Sequence, residues 1–418
     1  MTTIQCFEHE TLRVGSQEAN QAFTVEQWES LVRWQDKQKQ PFFSVVHRGI
    51  KFSQWVGVLR VGSLTIEILP KAEAERDSGT IDRSQLVERW KSRLLRMLKE
   101  SHHLDIRSVD EASLRLQNHT ILDLIFERFL DHAEALIAQG LIKRYRLVAR
   151  NRTSVKGRID HSADTSINYA HHERVYTVAS EYDRDNLWNR IMYHAASLVA
   201  DFARGAAVRD RAQALLICFP NWADTKIDPG CFEHLPYDRK SEVYRTMNRF
   251  AELIISRLNP QIQSGGRPVF ALLFDMNKLW EGWIYARLRR AYRERPEVAI
   301  SCQKSKIFWR VADVAYKTVR PDIIIETKSQ KTVVIDTKWK VLSSPIPSDE
   351  DLKQMYVYNE LWECPQGYLV YPEVHGLLNT EGYFTCSGTH LRVTFIDMEL
   401  PLEQWRGLFE STESLVKG

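Results

Sequence analysis

Three charged residues stand among apolar strand-formers in the last third of the chain. Asp322 lies in Arg320-Pro321-Asp322-Ile323-Ile324-Ile325, and Asp336 and Lys338 lie in Val333-Val334-Ile335-Asp336-Thr337-Lys338. A charge inside such a strand costs several kcal/mol unless it is paired or binds a metal. Residues two apart on a strand share a face, so Asp336 and Lys338 point the same way. With a loop at Lys328-Ser329-Gln330, Asp322 falls opposite Asp336 on an antiparallel neighbour and the three groups converge. A two-residue loop without a bulge would instead turn Asp322 to the other face. Two carboxylates offer a hard oxygen site for Mg²⁺, which keeps several waters and meets a phosphate oxygen. Such an ion lowers the pKa of a bound water and offsets charge at phosphorus. A lysine beside it orients the attacking water and stabilises developing negative charge. The chemistry that such a set would serve is phosphodiester hydrolysis; the plain alternative for an isolated Asp-x-Lys is a structural ion pair on a hairpin.

The elements around these residues favour the first reading. Pro321 precedes the first Asp, and a helix expected over 349–362 opens at Pro347-Ser348 with an acidic first turn, as helix N-termini prefer. On it Gln354 and Tyr358 are four apart and share a face. A helix over 275–292, with Asp275 as cap, precedes strands at 307–314, 319–327 and 332–340, and further strands follow at 367–374 and 391–398. Upstream, Val25, Trp28 and Val32 form one stripe of a helix over 25–33, with Thr24 and Gln27 fitting a capping box. A strand at 42–46 precedes a hairpin of 56–61 and 64–69 joined by Gly62-Ser63 and ended by Pro70. Residues 82–140, 183–205 and 238–258 read as helices, and 259–267, with Pro260 and Gly265-Gly266, as a linker. The expectation is a β-rich region 1–75, a mainly helical middle 76–262 and an α/β domain 263–418.

At 418 residues the chain exceeds one ordinary core. Its net charge of +3 is compatible with nucleic acid without indicating it. Two basic clusters are more informative: Arg89, Lys91, Arg93, Arg96, Lys99, and Lys143, Arg144, Arg146, Arg150, Arg152, Lys156, Arg158. Each is either a solvated face or a contact surface, and the second, interleaved with Tyr145 and leading into Gly157, suits contact better. The six cysteines include no Cys-x-x-Cys pair, and no long apolar run or apolar leader exists, which points to a reducing cytoplasm, no membrane and no structural zinc. No phosphate-loop motif is present, so energy coupling would need a nucleotide-hydrolysing partner. No helix-turn-helix or finger pattern stands out, which places base specificity elsewhere.

Pro-Asp, then Asp-x-Lys, then Gln-x-x-x-Tyr resembles the PD-(D/E)xK nuclease superfamily in its RecB-like arrangement. Glu281, in Leu279-Trp280-Glu281, matches the acid that many members carry on their first helix. The resemblance implies catalysis by Asp322, Asp336, Lys338, Glu281, Gln354 and Tyr358, with Mg²⁺ held at Asp322, Asp336 and Thr337. The stretch from Val56 to Lys71, together with Gly157-Arg158-Ile159, Asp185-Asn186 and Asn189, is similar to the McrC family. That resemblance implies a restriction-endonuclease-like subunit cutting double-stranded DNA that carries 5-methylcytosine, assembled with and stimulating an AAA+ GTPase hexamer of the McrB type, which alone binds GTP. The N-terminal half would then dock in the ring's pore, and Glu67, Lys71 and Arg158 are candidates for contact there. A non-cleaving activator of the ring, or a stand-alone RecB-like repair nuclease, are the alternatives. The middle is longer than the shortest members of the family need.

Overall fold

A computed structural model describes residues 2–18, 21–38, 40–62, 64–70, 83–101, 121–203, 205–220, 222, 227–258, 269–311, 315–327, 332–342, 344–373 and 377–409. The chain divides into two compact units, one formed by Met1–Ile121 with Ile262–Gly418 and one by Leu122–Gln261. The expected linker at 259–267 lies outside the described residues.

In the first unit, β1 (Thr2–Phe7), β2 (Trp55–Val61) and β3 (Leu64–Leu69) are joined by β4 (Val269–Asp275) in a sheet of order β1-β3-β2-β4. The expected hairpin forms, with Val61 opposite Leu64, and every residue of β3 is buried. β4 lies antiparallel to β2, so the N-terminal sheet is completed from the C-terminal third. The compact unit accordingly runs through Ile121 and resumes at Ile262, beyond the strand-rich region 1–75 expected from the pattern. Gly57, at φ +133°, permits the pairing: a Cβ there would lie 2.1 Å from the Leu272 carbonyl oxygen. Helix α1 (Val25–Gln35) carries the full Thr24–Gln27 capping box and buries Leu31 and Trp34 against the sheet core of Leu59, Ile66 and Ile68.

After α2 (Arg83–Glu100) and α3 (Met276–Ala291, capped by Asp275), the same unit builds a second sheet. Its strands are β5 (Val298–Cys302), β8 (Ile323–Thr327), β9 (Thr332–Thr337), β10 (Gln366–Pro372), β11 (Thr380–Tyr383) and β12 (His390–Ile396). They lie in the order β5-β8-β9-β10-β12-β11, with β9, β10 and β12 parallel. Helix α4 (Asp349–Leu361), capped by Ser348, packs Met355 and Tyr358 onto Ile324, Val334 and Leu369. Gly367 lets it approach, since a Cβ there would sit 2.4 Å from Asn359 Oδ1. The expected strands 307–314 and 319–327 are divided differently. β6 (Lys306–Val311) and β7 (Ala315–Val319) form a separate two-stranded ribbon, and the chain breaks at Arg320-Pro321-Asp322 before β8. Pro321 has no N–H to continue a ladder and restricts Arg320 before it.

The second unit combines the helices Ile121–Gln139, Leu187–Phe202, Ala206–Ile217 and Arg245–Leu258 with a sheet of Arg158–Ile159, Val175–Asp183 and Arg144–Arg152, in that order. The sheet departs from the mainly helical middle expected. Most cations of the second basic cluster lie on it and are paired: Arg146 with Asp183 and Asp185, Arg150, Arg152 and Lys156 with Glu181, and Arg144 with Asp238. Asn186 caps its helix, and Asn186 and Asn189 both donate to the Ile142 carbonyl. These residues, singled out by resemblance, hold the unit's own turn together. Among the described residues no helix is long and apolar enough to cross a membrane, and Cys218, Cys231, Cys302, Cys364 and Cys386 are free thiols.

Candidate active site

The site lies where β8 and β9 meet the buried face of α4. Ile323 pairs with Ile335 and Ile324 with Val334, so one step further along this register sets Asp322 opposite Asp336. Asp322, in the turn that Pro321 forces, is anchored from β9: its Oδ2 accepts from the Thr337 N–H at 2.8 Å and from Thr337 Oγ1 at 2.7 Å. Asp336 is 2% exposed, and its Oδ2 lies 2.7 Å from Lys338 Nζ. Lys338 also donates to Gln354 Oε1 at 2.7 Å. Gln354 Nε2 donates to the Tyr358 hydroxyl at 2.7 Å and reaches Asp336 Oδ1 at 3.5 Å. Tyr358 in turn donates to the Arg320 carbonyl at 3.0 Å, tying α4 back to the turn that carries Asp322. Five of the residues expected from sequence are thereby brought together.

Glu281, the sixth, comes from α3 and accepts from Gln303 Nε2. The Gln303 main chain, at φ +58°, donates to the Asp322 carbonyl at 3.1 Å, so one residue braces both acids. Thr337 directs its hydroxyl proton and its N–H to Asp322; its carbonyl oxygen and the lone pairs left on its hydroxyl are the atoms that could meet a cation.

Burial dominates the electrostatics. It pushes Asp336 up to about 7, with the neighbouring Asp322 charge adding to the rise and Lys338 opposing it. Asp322 is raised by burial against the two Thr337 bonds, and Glu281 by burial and by Asp322. Lys338, although burial opposes its charge, is held above the ordinary lysine value by Asp336, Asp351 and Asp322. Buried acids that raise one another suit a hard divalent cation, whose charge offsets both burial and repulsion. Among the described residues no three His, Cys, Asp or Glu side chains gather into a metal cage. Mg²⁺ does not need one, because it takes one or two carboxylates and keeps several waters.

Asp351 was not foreseen. It is 3% exposed, lies 3.6 Å from Lys338 Nζ and accepts from Lys340 at 3.1 Å and from the Tyr371 hydroxyl at 3.1 Å. Although burial works against its charge, the Ser348 bond, Lys340 and Lys338 hold it below the ordinary aspartate value. Its signal was in the sequence, since Asp351, Gln354 and Tyr358 at spacings of three and four line one helical face. It reads first as one of three acids in a helix's opening turn. Of the proposed docking residues, Glu67 is buried with Lys91 Nζ 3.6 Å away, a place in the core of the first sheet. Lys71 lies outside the described residues, and Arg158 is exposed on its short strand.

A family model described as the McrBC 5-methylcytosine restriction system component matches residues 50–372. Among solved structures, the chain is similar to a Thermococcus gammatolerans structure described as a refined half-complex from a tetradecameric assembly of McrB AAA+ hexamers with bound McrC. The TM-score is 0.70 at 19% identity, covering 99% of this chain and 100% of that one. A cryo-EM structure of the Thermococcus gammatolerans McrBC complex matches with a TM-score of 0.50 at 20% identity, covering 69% of this chain and 88% of that one. At these identities the likeness is one of fold. A comparison with curated proteins gave no match.

Proposed function

The chain belongs to the family of McrBC 5-methylcytosine restriction system components, and from that premise we propose that it is the Mg²⁺-dependent endodeoxyribonuclease subunit of such a system. Its substrate is duplex DNA carrying 5-methylcytosine, and its partner is an AAA+ GTPase ring of the McrB type. The observation that carries the nuclease reading is the convergence of Asp322, Asp336, Lys338 and Gln354 at one end of β8 and β9. It has the components that a PD-(D/E)xK core requires. The partner reading is supported by the fold shared over the whole chain with a McrC that is bound to McrB hexamers.

Asp322 and Asp336, with the Thr337 carbonyl, would hold Mg²⁺, which when bound supplies charge against the phosphate and a more acidic water. Lys338, fully charged and fixed between Asp336 and Gln354, orients the attacking water and meets the negative charge that develops at phosphorus. Gln354 and Tyr358 hold that ammonium in place, because each spends its own hydrogen bond on a neighbour in the site. Glu281, kept up by burial and by Asp322, is a proton acceptor of raised basicity on the flank of the site.

The test is cleavage of methylated and unmethylated duplex by the chain mixed with its AAA+ partner, Mg²⁺ and GTP, with wild type and Asp336→Ala in parallel. Cutting should require GTP, methylation and Asp336. Cutting by Asp336→Ala at the wild-type rate would remove the metal assignment. Stimulated GTP hydrolysis with no cutting by wild type would make the chain an activator, and cutting without the partner would make it a stand-alone nuclease.

A further inference from the structure

The ribbon of β6 and β7 stands apart from both sheets, and all six residues of β6 are exposed. An isolated two-stranded ribbon is marginal in water, yet this one presents Phe308 at 53%, Trp309 at 54% and Tyr316 at 61% exposure. Its register places Trp309 beside Lys317 and Arg310 beside Tyr316, so an aromatic ring and a cation lie side by side on each face. From 304 to 320 the sequence has five cations, Lys304, Lys306, Arg310, Lys317 and Arg320, and one acid, Asp313. Lys304 pairs with Glu326, and Lys306 anchors the foot of the ribbon by donating to the Leu361 carbonyl at 2.7 Å. Arg310 and Lys317 make no ion pair among the described residues.

Both legs of the ribbon are rooted in the site. β6 follows Gln303, which bonds Glu281 and the Asp322 main chain, and β7 runs through Arg320-Pro321 into Asp322. We infer that this ribbon is a duplex-DNA contact that lies in a groove of the substrate and presents Arg310 and Lys317 to phosphates next to the bond being cut. A two-stranded ribbon fits the major groove, about 12 Å wide, and cations on both faces meet the phosphates of both walls. The inference rests on the nuclease reading, and it assigns the substrate grip to a segment of this chain.

The experiment is binding of a short labelled duplex to the full chain in EDTA over a series of salt concentrations. The proteins are wild type, the double variant Arg310→Ala/Lys317→Ala, and Trp309→Ala, which keeps the charges. Loss of two phosphate contacts should weaken binding about tenfold and reduce the slope of log affinity against log salt by about two. Trp309→Ala should weaken binding while leaving that slope unchanged. Wild-type affinity and slope in the double variant would overturn the inference, as would a wild-type chain that does not bind duplex. So would substitutions that shift the sedimentation of the chain from dimer to monomer without affecting DNA, which would make the ribbon a contact between two copies. Cleavage separates the two readings. Ribbon-dependent binding by a chain that never cuts supports this inference and removes the nuclease reading, whereas full cutting by the double variant does the reverse.

Discussion

Asp336→Asn should make the metal-free protein more stable above neutral pH, by an amount that depends on pH in a defined way. Burial and the Asp322 charge raise Asp336 from its ordinary 3.8 to about 7. Between those values the folded chain holds a proton that the unfolded chain has released, so stability falls as pH rises through that window. Below 3.8 both states are protonated and the carboxylate costs nothing; above 7 the cost is complete. A difference of roughly three pH units corresponds to about 4 kcal/mol at most. Asparagine resembles the protonated acid and escapes this cost. Lys338 keeps Gln354 at 2.7 Å and Asp351 at 3.6 Å, so its ammonium is not stranded. The variant-minus-wild-type difference should therefore grow by about 3 kcal/mol between pH 5 and pH 8. In a unit of this size that is a rise of roughly 5 °C in the difference in Tm. Thermal unfolding of both proteins across that range, in EDTA, reads it, because groups that do not interact with Asp336 cancel in the difference. Adding Mg²⁺ at pH 8 should then raise the Tm of wild type and leave the variant nearly unmoved. A difference that is flat with pH, or that shrinks as pH rises, would refute the electrostatic account of the site.

Lys338→Ala should lower the cleavage rate by about a hundredfold or more, the usual effect of removing a preorganised charge from a transition state, with circular dichroism unchanged; wild-type turnover would exclude its role. Asp351→Ala should destabilise the first unit by about 3 kcal/mol, because it strips the acid from Lys340, Lys338 and Tyr371. Urea unfolding measures this, and an unchanged midpoint would count against it. Gly57→Ala should cost at least about 2 kcal/mol through overpacking and strain, since the new Cβ would lie 2.1 Å from the Leu272 carbonyl oxygen at φ +133°. Replacing Mg²⁺ with Ca²⁺, which prefers more ligands, should leave binding of DNA intact and cutting slow, as a gel-based cleavage assay would report.

The sequence by itself determined what local periodicity controls. A strand repeat of two put Asp336 and Lys338 on one face, a helix repeat near four aligned Gln354 with Tyr358, and Ser348 and Asp275 started their helices where the caps belong. The register that sets Asp322 opposite Asp336 was legible only as one of two alternatives that differ in loop length, and the pairing of Ile323 with Ile335 decided between them. Tertiary structure decided what depends on partners distant in the chain. Val269–Asp275 completes a sheet begun more than two hundred residues earlier, and no pattern within the strand names its neighbour. Arg144–Arg152 reads as a charge run and becomes a strand because Val175–Asp183 supplies acids across the pairing. Asp351 and Gln303 join the site through contacts that span eleven to twenty-two positions. Pro321 marks a break, but only folding showed that the segment before it pairs backward into a ribbon instead of onward into the sheet. Local rules fix which way a side chain points; the free energy of burial and long-range pairing fixes what it meets.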